Sequence, residues 1–275
     1  MSSPVQVYRR PGGFPVTIVV LNRPEARNAV DRPTAEALSQ AFREFDKDEN
    51  SNVAILHGSN SNFCAGADLR AMAESNGERV NRLSDDMHED GPMGITRMRL
   101  SKPVIASVEG YCVAGGFELA CWCDLRVANP DAQFGVLCRL RGVPLIDGGT
   151  LRLPELIGRS RALDLILTGR LISAKEALDI GLVNRIAAST SRNLPDSLPL
   201  ELRNSLSLRS AFDLALLLSS HPQTCLRNDR LSVYRAYGKE ELEALKIEFE
   251  HGMNTLSSGE FLSGSREFIQ KKSKL

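Results

Sequence analysis

Between Ser107 and Gly135 the chain reads SVEGYCVAGGFELACWCDLRVANPDAQFG, and this stretch constrains the fold more than any other. An apolar run, Pro103 to Val108, stops at the turn-prone pair Glu109-Gly110. Gly115-Gly116 then lead into a segment of helical character from Phe117 to Cys123. Glycine before a helix lets the backbone lie close to a ligand and point free N–H groups at it. The helix N-terminus adds partial positive charge, which suits an anionic oxygen. Glu118 follows Gly115 by three residues, in the first turn, within reach of the same pocket. A lone Gly-Gly-X-Glu is a weak signal. Its weight comes from a second turn of the same kind earlier in the chain.

At 275 residues the chain has room for one large domain, or for a domain with an appendage. Lys+Arg and Asp+Glu balance at 34 each, so no global field recruits nucleic acid or an anionic membrane surface. No apolar run approaches the length of a membrane span, and the N-terminal residues lack the apolar core of a secretory signal. Six cysteines without Cys-x-x-Cys spacing and four histidines without ligand spacing argue against a zinc site and for reduced, intracellular thiols. Ser273-Lys274-Leu275 reads as a peroxisomal address, to be met by an import receptor. In a bacterial source it is a frayed basic tail, and the expected compartment is the cytoplasm.

Taken in order, Val16 to Leu21 is β-branched and continuously apolar, as a buried strand should be. A polar turn, Asn22 to Asn28, leads to a helix from about Pro33 to Asp46 with Ala35, Leu38, Ala41, Phe42 and Phe45 on one stripe and Asp31 as its N-cap. Val53 to His57 is a second buried strand, followed by a polar loop and the small-residue turn Cys64-Ala65-Gly66-Ala67-Asp68. Residues Glu74 to Gly94 are polar and read as a helix or loop bordering the site. Leu125 to Ala128, Ala132 to Phe134 and Leu182 to Ala187 read as strands, and Gly148-Gly149 opens a helix. The expected divisions are a core over 1–188, a linker or insertion over 189–210, and an amphipathic helical region over 211–275 that must dock on its own core or on a neighbouring subunit.

Two small-residue turns, Cys64 to Asp68 and Val113 to Gly116, each follow a strand and precede a helix. Two converging backbone N–H groups form an oxyanion hole for the charge that develops on a carbonyl oxygen. Close helix packing is the alternative reading of either turn taken singly. With a thioester the stabilised charge is an enolate, which permits proton removal or addition beside the carbonyl.

Together, several stretches in order resemble the enoyl-CoA hydratase/isomerase (crotonase) superfamily: Leu21-Asn22-Arg23-Pro24-Glu25-Ala26-Arg27-Asn28-Ala29, Phe63 to Leu69, Gly115 to Ala120, Cys123-Asp124, Ala132 to Gly135, Gly148-Gly149-Thr150, and Leu167 to Arg170 with Ala174 to Val183. The resemblance is strong over about residues 5 to 188 and looser over the helical tail. It implies an α/β spiral of ββα units, a C-terminal helical trimerisation region, a homotrimer or dimer of trimers, and an acyl-CoA substrate in fatty acid metabolism. By position it implies an oxyanion hole at Ala67 and Gly115. Ala67-Asp68-Leu69-Arg70 would run along the pantetheine and adenine, Ala65 and Gly116 would also bind the CoA substrate, and Ala26 and Arg27 would lie at the nucleotide end. Arg27 reads equally as a solvated charge. Lys271 and Lys272 fall where such helices approach CoA phosphates, or simply end a helix.

Glu118 matches the first of two glutamates that family hydratases use as acid and base; otherwise it is a first-turn Glu facing the helix dipole. The position of the second glutamate is occupied by Cys138. A thiol there is a small apolar filler, or a weak acid/base if its pKa is lowered. Asp147 either reaches the acyl pocket or caps the next helix, and Arg139 and Arg141 either act on Cys138, bind an acidic acyl group, or pair with Asp131 or Asp147. The first expectation is water addition to a 2-enoyl-CoA. The second is double-bond isomerisation with Glu118 as the single base, and a thioesterase-like or lyase step on the same enolate is a further possibility. A rival of another class is a CoA-binding protein without turnover. No redox cofactor follows, because these reactions leave the oxidation state unchanged, and no basic stripe suggests nucleic acid.

Overall fold

The computed structural model describes residues 3–73 and 77–272. Residues 74–76, the side chains of Lys271 and Lys272, and the Ser273-Lys274-Leu275 tripeptide lie outside what is described.

Among the described residues, nine strands form two sheets: β1 (Val5–Arg9), β2 (Val16–Leu21), β3 (Val53–Gly58), β4 (Val104–Val108), β5 (Tyr111–Val113), β6 (Leu125–Ala128), β7 (Gln133–Gly135), β8 (Leu171–Ser173) and β9 (Arg185–Ile186). The larger sheet has the order β1-β2-β3-β4-β6-β9 and the smaller β5-β7-β8. All neighbours are parallel except β1–β2 and β7–β8. The chain advances in a repeat: a strand in the large sheet, a strand in the small one, then a helix. β4 and β5 lead in this way into helix α3 below, and β6 and β7 follow one step further on.

The helices are α1 (Arg32–Lys47), α2 (Leu69–Ala73), α3 (Gly115–Trp122), α4 (Gly149–Ile157), α5 (Arg159–Thr168), α6 (Ala174–Asp179), α7 (Leu200–Arg203), α8 (Leu206–Ser219), α9 (Gln223–Ala236), α10 (Glu241–Ser257) and α11 (Glu260–Lys272). Among the described residues, no helix is long and apolar enough to cross a membrane. Asp31 caps α1 as expected, accepting from the Thr34 N–H at 3.1 Å, with Pro33 in the first turn.

The central strands β2, β3 and β4 of the large sheet are buried on both faces, which is why they are mostly apolar rather than alternating. Val19, Leu21, Ala54, Leu56 and Ala106 face α1 and α3, while Val16, Ile18, Val20, Ile55 and Ile105 face α8. Residues 189–210, read as a linker or insertion, give Leu194, Leu198 and Leu202 to this second core, and α8 starts at Leu206. Their weak periodicity reflects a loop pinned to a sheet face by separate leucines. The strand expected over Leu182 to Ala187 shrinks to β9, because the Leu182 carbonyl accepts from the Arg126 guanidinium at 2.6 Å instead of joining a ladder.

Beyond α8 the chain leaves the sheets. Asp124 ties α9 to the core by accepting from Arg230 Nε at 2.6 Å and the Tyr234 hydroxyl at 2.7 Å. Helices α9 and α10 pair with each other, and Val233, Leu242, Leu245 and Phe249 stay exposed.

Arg126 is a fully buried cation that has no carboxylate partner among the described residues. Besides Leu182, its guanidinium serves the carbonyls of Ala120 at 3.1 Å and Cys123 at 2.7 Å, closing the C-terminus of α3 against β6. Replacing Arg126 with Met strands these carbonyls, so equilibrium urea unfolding should show a loss of about 3 kcal/mol or more.

Candidate active site

The two small-residue turns lie against each other because successive ββα steps are paired. Phe63 N–H donates to the Glu109 carbonyl at 2.8 Å, Cys64 N–H to Tyr111 at 3.0 Å, and Val113 N–H back to Cys64 at 3.0 Å. Cys64 thus forms a parallel bridge to Cys112, as an extra rung at the edge of the small sheet. Past this rung the chains separate, one into the 65–68 turn and one into Ala114 and α3.

Gly66 has φ +95°, and a Cβ there would stand 2.8 Å from both the Ala114 Cβ and the Gly115 nitrogen, so only glycine lets the turns touch. Ala114 is a non-glycine residue at φ 53°, ψ −128°. Its carbonyl accepts from Phe117 and Glu118 at 3.0 and 3.2 Å, and its own N–H donates to Gly135 at 3.0 Å. Such a conformation costs of order 1–3 kcal/mol and is held by those bonds. Among the described residues, neither the Ala67 N–H nor the Gly115 N–H has a hydrogen-bond acceptor, although Gly66 and Asp68 on either side of Ala67 are paired with Val30. Two unspent donors on adjoining turns are what an oxyanion hole requires.

Both turns open on a cavity of ≈ 300 Å³. Its wall is largely apolar: Leu69, Met72 and Val80 on one side, and Leu137, Val143 and Ile146 on another. Glu118, Cys138 and Asp147 also line it. Glu118 is buried, and its Oε1 accepts from the Gly149 N–H at 2.8 Å and the Asp147 N–H at 3.0 Å. A Cβ at Gly149 would lie 2.9 Å from that oxygen, so the second glycine of Gly148-Gly149 makes room for the carboxylate. Burial and then the Asp147 charge push the Glu118 carboxyl up to about 7, against the pull of the two N–H bonds and Arg152. That rise disfavours the carboxylate by roughly 3 kcal/mol relative to water and places its proton exchange near neutrality.

The remaining expected residues divide. Ala65, Ala67, Leu69 and Gly115 line the cavity. Gly116 does not; its Cα faces the Cys64 carbonyl, where a Cβ would approach to 2.3 Å, so it serves the contact between turns. Asp68 turns inward as well. Its carboxylate accepts from Arg23 at 2.7 Å and from the Arg70 and Ala71 N–H groups at 3.0 and 3.3 Å, capping α2. Burial raises its pKa, but the Arg23 and backbone bonds outweigh that and hold it below the usual carboxylate range. Arg70 is exposed, and the 26–27 loop is stitched to the site by Ala65 N–H donating to the Arg27 carbonyl at 3.1 Å. Ala26 is half-buried in that loop, and the exposed Arg27 guanidinium lies over the Tyr111 ring, 5.5 Å from its centroid.

Cys138 sits at the cavity edge with its thiol raised by burial and then by the Glu118 charge, a neutral group. Burial and the Glu118 charge push the thiol up more than Arg139 pulls it down, so it is not activated; among the described residues neither Arg139 nor Arg141 forms an ion pair. Asp147 is not the cap of α4; Gly148 takes that position at φ 94° without a side-chain bond. The Asp147 carboxylate instead accepts from the Met93 N–H at 3.0 Å and from the Thr96 hydroxyl. Met93, Thr96 and Arg152 carry no motif in the sequence; the placement of 74–94 beside the site points to Met93 alone.

The enoyl-CoA hydratase/isomerase family model matches residues 14–195. The chain is 32% identical over 262 residues to the enoyl-CoA hydratase EchA19 of Mycobacterium tuberculosis, covering 93% of this chain and 90% of that one. It is 37% identical over 195 residues to the mevalonyl-coenzyme A hydratase sidH of Aspergillus fumigatus, covering 66% and 71%. Among solved structures it is similar to the enoyl-CoA hydratase EchA1 of Mycobacterium marinum, with a TM-score of 0.84 at 31% identity over 98% of this chain and 97% of that one. Matched by the family model over more than half its length, the chain belongs to the enoyl-CoA hydratase/isomerase family and has the crotonase fold.

Proposed function

We propose that this acyl-CoA enzyme adds water to, or removes it from, the α,β position of a CoA thioester, with Glu118 as its one acid/base. The observation that carries this reading is the Glu118 carboxyl of near-neutral pKa, held by two N–H groups in a largely apolar cavity beside two unspent N–H donors. The thioester oxygen takes the donors of Ala67 and Gly115. Glu118 removes a proton from water as the water oxygen bonds the β-carbon, and the double-bond electrons move to the thioester oxygen as an enolate. The carboxyl then returns its proton to the α-carbon. Each step is neutral in oxidation state, and one group handles both transfers. The relatives named hydratases support water as the reactant.

One observation favours a second reading. The position facing Glu118 holds a neutral thiol at Cys138, so no second carboxylate is available there to position water. Moving a proton between the γ- and α-carbons of a 3-enoyl-CoA needs only one base and the same enolate. We propose that the apolar faces of α9 and α10, which carry exposed Leu242 and Phe249, pack in homotrimers or dimers of trimers.

Turnover of 2-enoyl- and 3-enoyl-CoA by the purified protein separates the two reactions. Loss of the 2-enoyl chromophore in water supports hydration. Conversion of the 3-enoyl substrate alone replaces it with isomerisation, and acyl-CoA binding without either overturns both. Glu118→Gln should lower kcat by about 100-fold or more while still binding acyl-CoA. Because the carboxylate form starts the cycle, kcat/KM should rise with pH through about 7 and level off above it. Gly149→Ala, which crowds Glu118, should lower kcat by about tenfold or more with the circular dichroism spectrum unchanged.

A further inference from the structure

Asp147 is an acidic residue lining the candidate site, 5% exposed, whose carboxylate the reaction above does not use. Three different parts of this one residue hold three different elements. Its carboxylate Oδ1 takes the Met93 N–H at 3.0 Å and the Thr96 hydroxyl. Its main-chain N–H donates to Glu118 Oε1 at 3.0 Å. Its carbonyl accepts from Arg152 at 2.8 Å, and the same guanidinium donates to the Thr96 carbonyl at 2.6 Å. Asp147, Thr96 and Arg152 therefore form a closed ring of hydrogen bonds across the gap between the 91–97 segment and the start of α4.

That segment is a wall of the cavity. Pro92 and Met93 line it, and Met93 lies against the oxyanion turn, since a Cβ on Gly115 would fall 2.8 Å from its Sδ. Gly91 leaves no room for a side chain: a Cβ there would stand 2.1 Å from the Thr96 Oγ1 and 3.0 Å from Asp147 Oδ1. Two 91–97 donors thus converge on one buried carboxylate oxygen, which is stronger than a neutral pairing would be.

We propose that Asp147 is a positioning residue: its carboxylate clasps the 91–97 wall of the acyl cavity to the loop whose N–H groups aim Glu118, so that the closed wall and the oriented base form as one unit. The same charge raises the proton affinity of Glu118 from its other side. The groups facing the pair are Arg152 from α4, Arg97 from the 95–97 turn, and the thiols of Cys121 and Cys138, which remain neutral. Asp147 is itself raised by burial, with Thr96, Met93, Arg97 and Arg152 working against that rise. This inference rests on the assignment of Glu118 as acid/base, but two of its readouts need no turnover.

The test compares Asp147→Asn, Asp147→Ala and Thr96→Val in the full chain. Asp147→Asn keeps an oxygen for Met93 and Thr96 and removes only the charge. Its expected result is turnover within about tenfold of the parent, with the Glu118 limb of the pH profile moved to lower pH. The same downward move should appear in the carboxyl titration of ¹³C-labelled Glu118 followed by NMR without substrate. Asp147→Ala and Thr96→Val open the clasp, and saturated acyl-CoA should bind each roughly tenfold more weakly by calorimetry, the weight of one charge-assisted hydrogen bond. Thr96→Val, which keeps the charge, should leave the Glu118 limb in place. A fall in kcat of about 100-fold or more in Asp147→Asn, with binding intact, would make Asp147 a catalytic acid or base and overturn the proposal. Unchanged Glu118 titration in Asp147→Asn, or unchanged binding in Asp147→Ala, would also overturn it. If the parent turns over neither enoyl-CoA, the reaction assignment fails, while the titration and the binding comparison still decide the clasp.

Discussion

The rung between Cys64 and Cys112 is the contact on which the site depends. Its two backbone hydrogen bonds, with that of Phe63 to Glu109 just before them, align the second strand of one ββα step with that of the next. Each strand then breaks into a turn at the same height, so two N–H groups some fifty residues apart in sequence are left on adjoining loops without acceptors among the described residues. Parallel pairing satisfies backbone groups until the chain leaves the ladder. The first donors past the ladder are the ones free to bind a ligand. Glycine at 66 and 116 allows this approach, because any side chain at either position would strike the opposite turn.

The second constraint is electrostatic. A carboxylate in a mostly apolar cavity is disfavoured, and a second acid beside it adds to the penalty. Two backbone N–H bonds only partly offset these effects, so burial prevails and the Glu118 proton is held near neutrality. Arg126 shows the opposite solution. Its guanidinium is just as deeply buried, but several carbonyl oxygens surround it, and the charge serves structure rather than reaction. Asp68 follows the structural pattern too, with Arg23 and two backbone donors consuming its acceptor capacity. The number of partners already spent on each group is what separates Glu118 from these residues.

Local chemistry was legible where neighbours in sequence decide the outcome. The β2 run, the Asp31 cap, the apolar stripe of α1 and the glycine-led start of α3 all follow from residue types and spacing. The pattern weakened where partners are distant. Residues 189–210 look like a linker because their leucines follow no helical or strand period, yet three of them are pinned under the large sheet. Asp68 and Gly116 stand inside the motifs that suggested a ligand, but their environment turns both toward the interior. Met93, Thr96 and Arg152 bear no local signature, because they matter through contacts spanning roughly fifty residues or more.

Residue type and spacing therefore fix the alternation of strand, small-residue turn and helix, the identity of the acid in the first turn of α3, and the lack of a carboxylate at 138. These are properties of residue type and spacing, and they hold before any long-range contact forms. Tertiary structure alone decided that the two turns meet, that Glu118 is aimed by the N–H groups of Asp147 and Gly149, and that the Asp147 carboxylate faces a wall rather than capping a helix. Hydrogen-bond partners and local dielectric depend on which distant segments pack together. A carboxylate's chemistry is set by that environment and not by its neighbours along the chain.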